Sequence, residues 1–246
     1  MGKRTFLSWN LAMLERSDQA PASWGVEHSE HAVRERVLGW APDIVLFQEL
    51  PRMVPYLETH GMIRANPLTH QGNLATLVRL EVLAAEGDEG PRVTVVDGCA
   101  LLVTFADGLT IANVHLAPGP AAVGERLEQF ARIVEASPTP TILIVGDTNT
   151  RVAEEAPLAD AELRGVRPRQ PTWDSKRNRF RQDGRAFTAH FTRWFASPGV
   201  KVAGVQVDRE PVEVDGTAFH LSDHYSLRGS VALSTADGAG AFGDSS

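Results

Sequence analysis

Apolar runs in this chain repeatedly stop at residues that carry chemistry. Thr5–Trp9 stops at Asn10, Ile44–Phe47 at Gln48-Glu49, Ile111–Val114 at His115, and Ile142–Val145 at Gly146-Asp147-Thr148-Asn149. Leu221-Ser222-Asp223-His224 stands just before the last apolar run. Carboxylates are hard oxygen ligands of the kind Mg²⁺ or Mn²⁺ prefers. A further carboxylate can orient and deprotonate an attacking water. Neutral or cationic donors such as asparagine and histidine can stabilise charge developing on a phosphoryl group. Together these residue types point to metal-assisted hydrolysis of a phosphoester. With Cys99 the only cysteine, a cysteine-rich structural zinc site is excluded.

Each motif also has a plainer explanation. Asn10 and Asp223-His224 could form turns, Glu49 could open a loop, His115 could sit in the core, and Asp147-Thr148-Asn149 could cap a helix. Five such coincidences, each at the end of a strand and each of a type that one reaction needs, favour the shared functional explanation.

Strands and helices must bring these ends together. Short β-like runs lie at Thr5–Asn10, Asp43–Glu49, Leu74–Arg79, Val93–Val96, Ala100–Phe105, Leu109–His115, Thr141–Asp147, Val200–Val207 and Leu227–Leu233. Asp107-Gly108 predicts a hairpin between two of them. Val33, Val37 and Trp40 mark a helix ended by Pro42; Val123, Leu127, Phe130 and Val134 mark another ended by Ser137-Pro138. A third helix is expected over Val152–Leu163. This order predicts an α/β fold, a four-layered sandwich of two packed, mainly antiparallel mixed sheets flanked by helices. We expect one catalytic domain over residues 1–233, a long functional loop at Pro168–Arg185, and a disordered tail over 234–246.

The 246 residues are 43% apolar and carry a net charge of −7, an ordinary composition for a globular protein. No stretch approaches the ~18–20 apolar residues of a membrane helix. The single cysteine and the absence of a signal-peptide pattern lead us to expect a cytoplasmic protein, acting as a monomer away from membranes. Charge is uneven. From Arg164 to Arg193 nine basic and two acidic residues give +7, leaving −14 elsewhere. A basic patch on an acidic protein draws a polyanion to one place.

Ser8-Trp9-Asn10, Phe47-Gln48-Glu49, Asn113-Val114-His115-Leu116, Gly146-Asp147-Thr148-Asn149 and Ser222-Asp223-His224 resemble, in order, the motifs of the endonuclease/exonuclease/phosphatase superfamily. Gly146–Arg151 and Pro171–Asn178 look most like the type-2 tyrosyl-DNA phosphodiesterases. The resemblance implies a Mg²⁺- or Mn²⁺-dependent phosphodiesterase. Glu49 would bind the metal, Asn10 would support metal and phosphate, and Asp223 would lie on the metal side of the mouth. Asp147 would activate water and Asn149 would position water or phosphate. His224 would stabilise the transition state at the scissile phosphate. His115 would be a second phosphate donor or the acid for the leaving group.

The chain departs from the family twice. Aligning Phe191–Phe195 with the strand before the last motif puts Thr192 where relatives carry the aspartate that orients the catalytic histidine. Five residues beyond His115, where type-2 tyrosyl-DNA phosphodiesterases carry arginine, stands Pro120. The expected substrate is nucleic acid, DNA and its single-stranded ends in particular, held by Trp173, Arg177, Arg179 and Arg193, with tryptophan faces stacking on unpaired bases. Two alternatives stay open: a phosphoesterase for a small molecule or lipid headgroup, and a weakened phosphate-binding module.

Overall fold

The computed structural model describes residues 2–51, 57–65, 73–165, 167–181 and 186–234. Strand β1 (Arg4–Asn10) is followed by helix α1 (Val26–Trp40), strands β2 (Ile44–Leu50), β3 (His60–Ala65) and β4 (Asn73–Arg79), and the short helix α2 (Leu80–Ala84). Next come β5 (Arg92–Val96), β6 (Ala100–Thr104), β7 (Thr110–His115), α3 (Val123–Ala136), β8 (Ile142–Asp147) and α4 (Glu155–Asp160). The chain continues through β9 (Trp173–Asp174), β10 (Thr188–Ala189), β11 (Thr192–Ala196), β12 (Val200–Asp208), β13 (Val212–Val214), β14 (Thr217–Phe219) and β15 (Ser226–Leu233).

One sheet orders its strands β12-β15-β1-β2-β4-β3 and the other β11-β8-β7-β6-β5. Among the described residues only β1–β2 and β7–β8 pair in parallel within them; the rest are antiparallel. The side-chain period of two divides each strand between two environments. Phe6, Ile44, Leu46, Ile111, Leu143 and Val145 fill the space between the sheets. Leu7, Trp9, Val45 and Phe47 face outward onto Val33 and Val37 of α1, while Ala112, Val114 and Ile144 face Phe130 and Ile133 of α3. The result is the expected helix–sheet–sheet–helix sandwich.

Helix α1 stops where Ala41 turns left-handed (φ 46°) before Pro42, and α3 stops at Ser137 before Pro138. The Asp107-Gly108 hairpin closes between Phe105 and Leu109, with Gly108 at φ 87°. The third helix is shorter than expected: a 3-10 turn over Val152–Glu154, then α4 of 6 residues. Strand β3 and the hairpin of β13 and β14 were not read from the sequence, although Asp215-Gly216 at φ 50° and 76° carries the same turn signal as Asp107-Gly108. The tail over 235–246, Arg185, and the rest of 182–185 lie outside the described residues.

Candidate active site

The parallel pairs β1–β2 and β7–β8 run their C-terminal ends to one mouth between the sheets. Asn10 follows Phe6 and Ser8 in phase, His115 follows Ile111 and Asn113, and Asp147 follows Leu143 and Val145. All three therefore point into the inter-sheet space at its polar end. His115 and Asp147 are register partners. Such close pairing of β7 and β8 needs Gly146, because a Cβ there would lie 2.2 Å from the Val114 carbonyl oxygen. Glu49 would face outward by strict alternation. A register shift between Phe47 and Leu50, with Glu49 at φ 49°, re-aims its carboxylate into the mouth.

The geometry is tight. Asn10 Nδ2 donates to Glu49 Oε1 and to Asp147 Oδ2, both at 2.9 Å, while its Oδ1 accepts the Ala12 N–H. His115 Nε2 lies 3.6 Å from Glu49 Oε1 and 3.7 Å from Asp147 Oδ2. His224 Nε2 lies 3.6 Å from the same Asp147 oxygen. Glu49, His115 and Asp147 offer ligand atoms all within 4.8 Å of one another, a donor set able to hold a cation. Burial pushes the Glu49 carboxyl up to about 7, against the hydrogen bond from Asn10. Burial also lifts the Asp223 carboxyl. Glu49 and the buried Asp147, two carboxylates meeting beside His115, suit a hard divalent ion. Asp223 stands outside that trio. Asn10 turns its NH₂ to the carboxylates, so it orients them and offers a cation no oxygen.

Beneath the mouth, buried amides tie the two sheets together. Gln48 Nε2 donates to Asn113 Oδ1 (2.7 Å), and Asn113 Nδ2 donates to the carbonyls of Phe47 and Ala75. Asn149, at φ 50°, donates its backbone N–H to Asp147 Oδ1 and its Nδ2 to the Leu116 carbonyl. His224 is held through several contacts. Its backbone N–H donates to Ser222 Oγ, the Ser222 hydroxyl donates to the Asn10 carbonyl, and the Trp9 indole N–H donates to the His224 carbonyl. Thr192 Oγ1 sits 3.3 Å from His224 Nδ1, where the alignment put it.

The Pro171–Asn178 motif braces this loop. Thr172 accepts the N–H of Thr192 at its hydroxyl and the N–H of Tyr225 at its carbonyl; Asn178 Nδ2 donates to the Ser222 carbonyl. Trp173 packs edge-on against His224 (4.9 Å between centroids) and stacks on Phe187, which is 42% exposed. Arg151 lies over Phe191, itself packed against Trp173. Arg177 and Arg179 are exposed, and Arg177 lines an open cleft of about 610 Å³ with Arg209, Tyr225 and Arg228. Arg193 does not reach a substrate. It is 2% exposed and donates to Thr150 and Glu155, because its place on β11 points it into the structure. Trp194 packs on the inter-sheet core. Arg151 and Phe187 are the wall residues to which sequence reasoning gave no role; Arg151 was visible in its motif, whereas Phe187 carried no signal.

Fold and site define a class: residues 7–224 match the Endonuclease/Exonuclease/phosphatase family, and the chain belongs to it. Among solved structures it is similar to zebrafish (D. rerio) TDP2 complexed with single-strand DNA product, at TM-score 0.70 and 20% identity, covering 95% of this chain and 100% of that one. TDP2 from C. elegans follows at 0.69 and 19%, covering 94% and 75%. The endonuclease domain of TRAS1, a telomere-specific non-LTR retrotransposon, gives 0.57 and 17%, covering 94% and 99%. Identities this low show a shared fold. Among curated proteins none matches significantly. No helix among the described residues is long and apolar enough to cross a membrane.

Proposed function

We propose that this protein is a divalent-metal-dependent phosphodiesterase that hydrolyses phosphodiester bonds in nucleic acid, most directly at DNA ends. Family membership implies a phosphoric ester hydrolase. The observation that carries the reading is the convergence of Glu49, His115 and Asp147 within 4.8 Å, with His224 3.6 Å from Asp147. Glu49 and Asp147, with His115 beside them, would hold Mg²⁺ or Mn²⁺, which supplies positive charge to the phosphate oxygens. Asp147, kept in place by Asn10 and the Asn149 N–H, orients the attacking water and takes its proton. His224 faces the phosphate and stabilises its developing charge; His115 serves the leaving group, and Asn149 and Asp223 complete the rim.

Trp173 with Phe187 offers a flat face for an unpaired base, and Arg177 and Arg179 supply positive charge for the strand. The DNA product in the zebrafish TDP2 structure and the endonuclease domain among the neighbours support a nucleic-acid substrate. The lone Cys99 supports the reducing cytoplasm. The test is hydrolysis of a panel (5′-tyrosyl oligonucleotide, single-stranded and duplex DNA, RNA, inositol phosphates) with Mg²⁺ and with EDTA. Metal-dependent cleavage of an oligonucleotide is expected; turnover of inositol phosphates alone would replace the substrate class. Thr192 beside His224 favours a second reading, a weakened phosphate-binding module, which predicts oligonucleotide binding without turnover.

A further inference from the structure

Helix α3 buries two polar residues among its apolar contacts, Arg126 and Gln129. The Arg126 guanidinium is wholly buried and makes four hydrogen bonds. Its Nε donates to Glu154 Oε2 at 2.8 Å and its Nη2 to Glu154 Oε1 at 2.7 Å. Its Nη1 donates to the carbonyls of Ala117 (2.8 Å) and Gly119 (2.7 Å). Glu154 Oε1 also accepts the Arg151 N–H at 2.8 Å, and Gln129 Oε1 accepts the Ala117 N–H at 2.9 Å. These contacts fall on two arms of the mouth. Leu116–Gly119 leaves His115 directly; Asn149–Arg151 leaves Asp147.

We propose that Arg126 and Glu154 are positioning residues that lock these two arms into one geometry. The inference rests on the reading that the mouth is catalytic. A buried ion pair is poor support for stability, since apolar residues of equal volume often serve as well or better. An apolar pair would, however, leave the buried Ala117 carbonyl and the half-buried Gly119 carbonyl and Arg151 N–H without their present partners. Only the planar fork of arginine meets a carboxylate in two places and two carbonyls at once; lysine cannot. The consequence is placement: His115 stays beside Asp147, and Arg151 stays over Phe191 next to the Trp173–His224 pair.

The test compares Glu154→Gln and Arg126→Lys with Ile133→Ala, a buried residue of the same helix whose side chain makes no hydrogen bond to either arm. Each is assayed on a bis-aryl phosphodiester at saturating Mg²⁺ and low temperature. The two positioning variants are expected to lose roughly 10- to 100-fold in kcat, the order that a misplacement of about 1 Å can cost, with KM within about twofold of wild type. Ile133→Ala should lower the melting temperature and keep kcat. Amide exchange should quicken in both 116–119 and 149–151 in the positioning variants alone. Should Glu154→Gln not fold, Arg126→Lys, which keeps the charge, carries the comparison. Wild-type kcat and exchange in the positioning variants, or an equal kcat loss in Ile133→Ala, would overturn the proposal. If the wild type hydrolyses no phosphoester, the catalytic reading falls, and exchange alone decides whether the arms are coupled.

Discussion

Asn10, His115 and Asp147 reach the mouth because each stands two residues beyond another side chain facing the inter-sheet space. Trp173 and His224 reach the same mouth by another route, whereas Thr192, on β11, sits across from Asp147 as its register partner. A web of hydrogen bonds from Thr172, Asn178 and Ser222 holds them, spanning 20 to 44 positions in sequence for the pairs Thr192–Thr172 and Asn178–Ser222. The first group inherits its placement from strand period and sheet register. The second depends on contacts between segments that the chain brings together only on folding. Strand-borne groups should therefore respond to substitution through chemistry alone, and loop-borne groups through chemistry and placement together.

The largest expected effect is on the strand-borne side. Asp147→Asn should cut turnover by ~10²–10⁴-fold, the range for losing a general base, with little change in melting temperature. Next is His224→Ala, at ~10²–10³-fold in turnover, the cost of removing one preorganised donor. Removing a brace should cost less. Asn178→Ala unpairs the buried Ser222 carbonyl and should lower stability by ~1–3 kcal/mol, read by denaturant melts, with turnover falling alongside. Activity intact in Asn178→Ala would mean that the loop-borne half is held more firmly than its hydrogen bonds indicate.

What was legible follows the same division. Period and strand ends marked Asn10, His115 and Asp147, and the α/β sandwich followed from the same runs. Glu49 was identified by its motif, yet its inward aim depends on a bulge that alternation does not show. Arg193 read as part of a basic patch because charge counting cannot see the Glu155 carboxylate that α4 places beside it. Likewise Arg126 and Gln129 break the apolar stripe of α3, and a helical pattern takes them for the exposed face. Phe187 gave no signal because it lies just before β10 and meets Trp173 only when β10 pairs with β9.

Smaller effects sharpen the contrast. Replacing Arg177 and Arg179 with Gln should reduce the salt dependence of single-stranded oligonucleotide binding by roughly 1.4 in log–log slope, at ~0.7 per phosphate, while sparing a small diester. Equal losses on both substrates would contradict a basic track. Thr192→Asp should raise turnover by placing a carboxylate at His224 Nδ1, since such a partner favours the imidazolium; an unchanged rate would mean that the hydroxyl serves as well.

The central claim is that Glu49 and Asp147 share one cation, and calorimetric titration of the protein with Mn²⁺ tests it most directly. With its carboxyl raised to about 7, Glu49 favours the metal-free fold below the unfolded value near 4.5 and loses that contribution as pH rises through 7. Bound metal reverses this by using the charged form. Saturable binding should therefore tighten from pH 6 to pH 8, by up to roughly tenfold per pH unit below 7, and should weaken at least about tenfold in Glu49→Gln. Binding of equal strength in Glu49→Gln, or the absence of a saturable site in the wild type, would contradict the account.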